Sequence, residues 1–219
     1  MVKKKFGFHI SATEVKHIVG AMVALSFAFS LILYRNEIFG AGGFSYSINY
    51  FLASLLVVGL AFILHEEVGH KIAAQKFGCW AEFRAWPTGI FLAVAMAIIS
   101  RGGFVFAAPG AVMISAVQRA PFGFRVTHLS DRDLGKIGLA GPLVNILLCI
   151  LFGALAFAFG SKLLGLAAQV NVWLALFNMI PFGPLDGGKV FRWSKGIWVG
   201  TLAVCLGLFF LSMFVIGGI

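Results

Sequence analysis

Two clusters of ionisable side chains interrupt a strongly apolar sequence, and they constrain the possible fold more than any other feature. Residues 64–70 read Leu-His-Glu-Glu-Val-Gly-His, and Asp186 follows Asn178 and Pro181 and precedes two glycines. Ionisable groups cost free energy at the depth of a bilayer, so those that occur there are functional by default. Histidine and carboxylate side chains are also the ligands of hydrolytic zinc sites. The two clusters therefore predict a zinc site buried among membrane-spanning helices.

The composition supports a membrane protein. Hydrophobic residues make up 60% of the 219 residues and charged residues 11%, whereas a soluble domain carries about 25% charged residues. The net charge of +9 comes from basic residues that flank apolar runs, which is typical of cytoplasmic loops. No basic stripe interleaved with aromatic residues is present, so nucleic acid is not an expected partner. We expect one membrane-embedded domain, residues 1–219, with a core over about residues 50–195.

Five segments have about the 17–25 apolar residues that a membrane-spanning helix needs. They cover roughly 17–34, 50–70, 137–160, 165–185 and 197–217. The run 88–100 has 13 residues, which favours a re-entrant or interfacial segment, and its flanks 80–86 and 103–117 have strand character. The predicted fold is therefore an all-α polytopic membrane protein with about five transmembrane helices, a re-entrant segment and a small β-hairpin or sheet near the site. Residues 118–136 are polar and are expected in water.

The distribution of lysine and arginine predicts the orientation in the membrane. If the N-terminus is cytoplasmic and 88–100 does not cross, 15 of these residues lie inside, including Arg101, and only Arg35 and Lys162 lie outside. This bias predicts a multi-pass cell-membrane protein with both ionisable clusters near the cytoplasmic side. Ser11 and Glu14 form a capping-box pattern, which predicts that the first helix starts near residue 12.

The first cluster departs from the usual zinc-binding spacing by one residue. A helical His-Glu-x-x-His motif supplies two ligands one turn apart, with the adjacent glutamate as general base. Here five positions separate His65 from His70. At about 100° per residue, five steps of an α-helix rotate the second side chain by about 140° relative to the first.

Two registers restore a metal site. In the first, a π-bulge absorbs the extra residue, His65 and His70 bind the metal, and Glu66 is the base. In the second, the helix is regular, Glu66 and His70 are ligands at i and i+4, Glu67 is the base, and His65 is an adjacent proton-transfer residue. The sequence leaves both registers open.

The remaining site residues come from two distant motifs. Asp186 is the natural third ligand, and it follows a segment in which Pro181 and Pro184 break the helix. Asn178 is placed to hydrogen-bond a substrate that is held in extended form. Asn145, after Gly141-Pro142, is placed either to donate to a developing oxyanion or to hydrogen-bond between helices.

These motifs together resemble those of the site-2 protease family of intramembrane zinc metalloproteases, over about residues 50–195. The matching residues are 64–66 with 69–70, the run 141–145, Asn178 with Pro181, and 185–188. The resemblance implies a small helical bundle, one zinc ion bound by two histidines and an aspartate, a glutamate-activated water and a β-hairpin beside the site. It also implies regulated cleavage of membrane-spanning segments of substrate proteins.

The favoured hypothesis is therefore an intramembrane metalloendopeptidase whose partners are a transmembrane protein substrate and the lipid bilayer. The substrate would unwind and add a strand to the 80–118 region. The irregular first motif keeps a second hypothesis open, in which an inactive homologue binds membrane segments without cleaving them. A transporter is the third hypothesis, because broken helices and buried charges also occur in transporters.

Overall fold

The computed structural model of the chain describes residues 10–40, 42–115, 117–120, 123–126, 128–183 and 185–217. The amino-terminal lysines 3–5 and Pro184 lie outside the described residues. The helices are α1 (Ala12–Leu33), α2 (Arg35–Phe39), α3 (Ile48–Ile63), a π-helix (Leu64–Lys71), α4 (Ile72–Lys76), α5 (Pro87–Ile99), α6 (Asp131–Phe159), α7 (Lys162–Asn178), α8 (Asp186–Trp193) and α9 (Lys195–Gly217). The strands are β1 (Trp80–Ala85), β2 (Gly110–Ser115), β3 (Val117–Ala120) and β4 (Gly123–Val126).

Helix α1 begins where the capping pattern predicts. The Ser11 hydroxyl accepts a hydrogen bond from the Glu14 backbone N–H at 3.0 Å, which satisfies one of the free N–H groups of the first turn. The Glu14 carboxylate does not complete the capping box. It is fully buried and binds groups of two other elements, Lys71 and Phe83.

Four helical segments of the described chain are long and apolar enough to cross a membrane. They are Ala12–Leu33, the continuous helix Ile48–Lys76, Asp131–Phe159 and Lys195–Met213. The fifth predicted span, 165–185, corresponds to α7, which has 17 residues and ends at Asn178. The residue before a proline is disfavoured in the α-conformation, so Pro181 keeps the helix from continuing through Ile180. Residues 180–183 and Leu185 are consequently in an irregular connection between α7 and α8.

The short apolar run 88–100 is helical and packs against α1, and the segments on either side of it contact opposite ends of α1. At its start, the Ala85 N–H donates to His17 Nδ1 near the beginning of α1, at 3.4 Å. At its end, the Arg101 carbonyl accepts from Arg35 Nε, beyond the end of α1, at 3.0 Å. The chain then returns to β2, opposite Ala85.

This path corrects the placement of Arg101, which the charge count put on the opposite side from Arg35. A 13-residue helix is about 20 Å long, and the turn after it adds enough length to reach the far end of α1. Moving one residue changes the count from 15 and 2 to 14 and 3. The excess of lysine and arginine on the side of the N-terminus, which motivates the proposed orientation, is smaller but remains.

The predicted sheet is present, with narrower bounds on one side. Strands β1 and β2 pair antiparallel from Trp80 with Ser115 to Ala85 with Gly110, so residues 103–109 of the predicted strand lie outside the pairing. Helix α5 and the segment after it connect the two strands, in place of a tight hairpin turn. A second antiparallel pair, β3 and β4, occupies part of the region that was expected to be a polar loop.

Helix α1 closes the outer edge of β1. The Phe83 N–H donates to Glu14 Oε1 at 2.8 Å, and the Ala85 N–H donates to His17. Backbone groups alternate between the two edges of a strand, so residues opposite Phe83 and Ala85 direct their own groups away from β1. In β2, the residues whose backbone groups point away from β1 are Gly110, Val112 and Ile114, and they form the outer edge of β2.

Helix α6 is the central element, and it packs against α7, α8 and the π-helix. Its contact with the π-helix is very close, because a Cβ atom on Gly69 would lie 2.7 Å from the Gly141 Cα. Glycine at both positions therefore lets the two backbones touch. This contact brings the first ionisable cluster against α6.

Candidate metal centre and active site

The π-helix brings His65 and His70 to the same face. Each π-helical turn closes at i+5, so two residues five positions apart lie roughly above one another. The two imidazoles meet through their Nε2 atoms, which are 3.0 Å apart. Both side chains are buried, with 2% and 3% exposure. This is the local geometry that the first predicted register requires.

Asp186 completes a three-residue cluster with the histidines. Its Oδ2 atom lies 2.8 Å from His70 Nε2 and 3.6 Å from His65 Nε2. In the described part of the chain these are the residues whose ligand atoms converge as in a metal site, all within 4.8 Å of one another. The cluster therefore offers two nitrogen donors and one oxygen donor.

A glycine places Asp186 at the start of α8. A Cβ atom at Gly187 would overlap the backbone of Met179, so only glycine lets the chain turn this closely against the end of α7. The Met179 carbonyl also accepts a hydrogen bond from Trp198 Nε1 of α9 at 2.8 Å. The irregular segment before Asp186 is thereby held by two helices.

Groups from α6 orient both imidazole rings. The Nδ1 atom of His65 hydrogen-bonds with Asn145 Oδ1, and His70 Nδ1 donates to the Ile137 carbonyl at 2.8 Å. Because both acceptors are oxygen atoms, each ring carries its proton on Nδ1 and presents an Nε2 lone pair to the cluster. Two lone pairs and a carboxylate oxygen then face one another, which is the arrangement that a bound cation stabilises.

The donor set and its spacing fit zinc. A tetrahedral ion with bonds of about 2.0–2.1 Å separates its ligands by about 3.3 Å. The three separations in the cluster are 2.8, 3.0 and 3.6 Å. Glu66 is a fourth ionisable group and directly follows His65 in the sequence. It is buried, and its Oε2 atom has no hydrogen-bond partner among the described residues.

Comparison with known proteins decides the family. The candidate zinc metalloprotease MJ0611 of Methanocaldococcus jannaschii is 35% identical to this chain over 212 residues, which cover 94% of the chain and 98% of that relative. The chain belongs to the site-2 protease family of zinc metalloproteases. Its cofactor is zinc.

Two further relatives agree with this family. The zinc metalloprotease MJ0392 of the same organism is 26% identical over 180 residues, 80% of this chain and 43% of that relative. A candidate zinc metalloprotease of Synechocystis is 33% identical over 93 residues, 32% of this chain and 24% of the relative. No protein-family model and no solved structure matches the chain.

Three other sequence-predicted residues of this metalloprotease have partners within the protein. Glu67 pairs with Lys71, with Oε2 and Nζ 2.8 Å apart. Asn145 is fully buried behind His65, and its amide group donates to Asn171 Oδ1 at 2.8 Å. Asn178 is half-buried and donates to the Leu174 carbonyl of its own helix at 2.9 Å.

Sequence reasoning missed Lys189, whose Nζ lies 3.0 Å from Asp186 Oδ1. The i, i+3 spacing to Asp186 on a short helix was the available signal. The nearby Lys189 ammonium stabilises the anionic form of the Asp186 carboxylate. A carboxylate must be in this anionic form to bind a metal ion.

Proposed function

We propose that the chain is an intramembrane zinc endopeptidase that hydrolyses peptide bonds in or near the membrane-spanning segments of other membrane proteins. The observation that carries this proposal is the convergence of His65, His70 and Asp186 inside a bundle of apolar helices. These residues come from a π-helix and from a glycine-dependent turn, and together they form a compact donor set.

The proposal assigns His65, His70 and Asp186 as the three zinc ligands. Zinc bound there would acidify a water molecule and polarise the scissile carbonyl. Glu66 is the general base, because it neighbours His65, is buried, and has a carboxylate oxygen that no protein group occupies. The Glu66 carboxylate takes a proton from the water and later donates it to the leaving amine. Glu67 is assigned no catalytic role, since its Oε2 atom pairs with Lys71, which also pairs with Glu14 of α1.

The substrate is proposed to bind in extended form at the sheet beside the site. The outer edge of β1 is closed by Glu14 and His17, whereas Val112 and its alternate neighbours direct backbone groups outward from β2. An unwound peptide would therefore pair with β2 by β-augmentation. Asn178 retains a side-chain oxygen for the substrate backbone, and Asn145 serves to orient His65 instead of contacting substrate.

The orientation proposed for the protein is a multi-pass one in the cell membrane, with a cytoplasmic N-terminus and the site near that face. Its support is the distribution of lysine and arginine, 14 on one side and three on the other. The partners in this proposal are the bilayer and a transmembrane protein substrate. The inactive-homologue alternative rested on the extra residue between His65 and His70, which the π-helix accommodates.

The test measures zinc per purified chain together with cleavage of a reporter protein that carries one membrane-spanning helix. We expect one zinc ion in the wild type, loss of zinc in His65→Ala, and retained zinc without cleavage in Glu66→Gln. Glu67→Gln is the comparison variant, and it should keep zinc and measurable cleavage.

Two outcomes would contradict the proposal. Loss of zinc in Glu66→Gln with retention in His65→Ala would favour the second register, in which Glu66 is a ligand. A wild-type chain that binds no zinc would exclude the enzyme altogether.

A further inference from the structure

A second group of ionisable side chains is buried beside the candidate metal centre, and the proposed mechanism does not use it. Glu14 of α1 and Glu67 and Lys71 of the π-helix have exposures of 0%, 4% and 1%. The Lys71 ammonium lies 2.8 Å from Glu14 Oε2 and 2.8 Å from Glu67 Oε2. We refer to these residues as the Glu14–Lys71–Glu67 triad.

Stability alone is a weak reason for such a triad. Removing charges from water costs free energy that their attraction does not always restore, and apolar replacements of buried ion pairs are often equally or more stable. The best-attested use of buried ionic groups is to specify one structural register over another. A π-helix is a segment in which the register is at issue, because the same residues can also wind as an α-helix.

The position of Lys71 makes it sensitive to that register. Lys71 ends the π-helix and directly follows His70. If the segment wound as an α-helix, His70 and Lys71 would turn by about 100° relative to His65. The Glu67–Lys71 contact lies within the segment, whereas the Glu14–Lys71 contact reaches another helix and opposes this rotation.

Glu14 is itself fixed in place. Its Oε1 atom accepts the Phe83 N–H of β1 at 2.8 Å, and Ser11 caps its helix. At the other end of the π-helix, Asn145 of α6 holds His65. The two ends of the segment therefore contact different elements, α6 through His65 and α1 through Lys71, and the π-helical winding allows both contacts at once.

We propose that Glu14 and Lys71 are positioning residues for the metal centre. Their ion pair between α1 and the π-helix holds His70 in the register in which its imidazole faces His65. The contact within the π-helix, between Glu67 and Lys71, contributes less to this register. The inference rests on the proposed function of His65, His70 and Asp186 as zinc ligands.

The test compares zinc affinity, measured by competition with a chelator, in variants of the full purified chain. Glu14→Gln keeps an oxygen that accepts the Phe83 N–H, but it places an amide against the Lys71 ammonium. We expect this variant to bind zinc about 10-fold to 100-fold more weakly, the range for groups that orient metal ligands. Glu67→Gln should weaken zinc binding less. Lys71→Arg keeps the positive charge and should retain most of the wild-type zinc affinity.

A lysine elsewhere on the same helix provides the matched control. Lys76 is exposed at the end of α4, so Lys76→Met should bind zinc as the wild type does. The visible absorption spectrum of the Co²⁺-substituted protein gives a second readout. It should change in Glu14→Gln, because the coordination around the ion changes, and should stay the same in Lys76→Met.

Three results would overturn the proposal. These are wild-type zinc affinity and cobalt spectrum in Glu14→Gln, an equal loss of affinity in Glu67→Gln, and wild-type affinity in the uncharged variant Glu14→Gln/Glu67→Gln/Lys71→Met. The uncharged variant keeps the test decisive if the single variants fold poorly, because it removes all three charges of the triad together. A wild type without zinc would instead contradict the proposed function itself.

Discussion

At the scale of single residues, the candidate centre depends on where two protons are held. Asn145 and the Ile137 carbonyl each bind an Nδ1 atom, so the Nε2 lone pairs of His65 and His70 point at each other and at Asp186. The sequence alone identified all three converging residues. It did not assign Asn145 to His65, because that contact joins residues 80 positions apart and depends on how α6 packs.

The role of Asn145 can be separated from its contribution to stability. Asn145→Leu removes the acceptor for His65 Nδ1, and we expect zinc affinity to fall about 10-fold to 100-fold. Asn145→Asp keeps that acceptor but loses the donor to Asn171, so it should bind zinc nearly as the wild type does and unfold at lower temperature. Chelator competition and thermal unfolding measure the two effects. Equal zinc affinity in both variants would contradict this role.

Gly141 tests how little space the cluster leaves. A Cβ atom there would lie 2.7 Å from His65 Nε2 and would also overlap the His70 ring. We expect Gly141→Ala to displace both rings, to cost about 1–3 kcal/mol of stability and to abolish most zinc binding. Gly153→Ala on the same helix is the control, since its Cβ would meet only Ala168, at 3.9 Å. Zinc content per chain distinguishes them, and full occupancy in Gly141→Ala would refute the expectation.

At the scale of secondary-structure elements, the π-helix is the feature that the sequence left undecided. Both registers were compatible with the residues, because local propensity does not distinguish them, and in the structure the segment contacts α1 and α6 through residues distant in sequence. The cap of α1, the strand character of the segments on either side of α5 and the short apolar run of α5 were predictable from local patterns, whereas the pairing of β1 with β2 was expected from the family resemblance. The β3–β4 pair and the contact of the segment after α5 with Arg35, beyond the end of α1, were not predictable in this way.

Shortening the π-helix by one residue gives a direct test. Val68 is 44% exposed, and its deletion leaves His-Glu-Glu-Gly-His, in which two histidines lie one α-helical turn apart. We expect the deletion variant to fold, to wind this segment as an α-helix and to retain zinc. Deleting the similarly exposed Leu60 of α3 instead rotates the following face by about 100° and should abolish zinc binding. A folded Val68-deletion variant without zinc would contradict the bulge interpretation.

At the scale of the whole molecule, the position of Arg101 ties the fold to its orientation in the membrane. Composition and charge were sufficient to predict a membrane protein, and the described residues include four helices that suit this environment. Counting charges misplaced Arg101, because the count assumed that a 13-residue helix stays near one surface. The contact between Arg101 and Arg35 shows that the segment reaches the opposite end of α1.

Labelling with a membrane-impermeant maleimide checks this arrangement in a cysteine-free background. Single cysteines at the exposed positions Arg35 and Arg101 should react from one side of the membrane. Cysteines at the exposed positions Lys76 and Arg132 should react from the other side, which we expect to be cytoplasmic. Reaction of the Arg101 position together with Arg132 would show that α5 does not reach across.

The π-helix also bears on how such chains diverge. A one-residue insertion normally puts every later side chain of a helix out of phase with its partners, and selection would remove it. Here one wider turn takes up the extra residue, and α4 beyond it still packs against α6. A sequence motif with a fixed number of residues between its histidines fails to match such a segment, although the two imidazoles still meet in space. A sequence search for such a site therefore has to allow one extra residue between the two histidines.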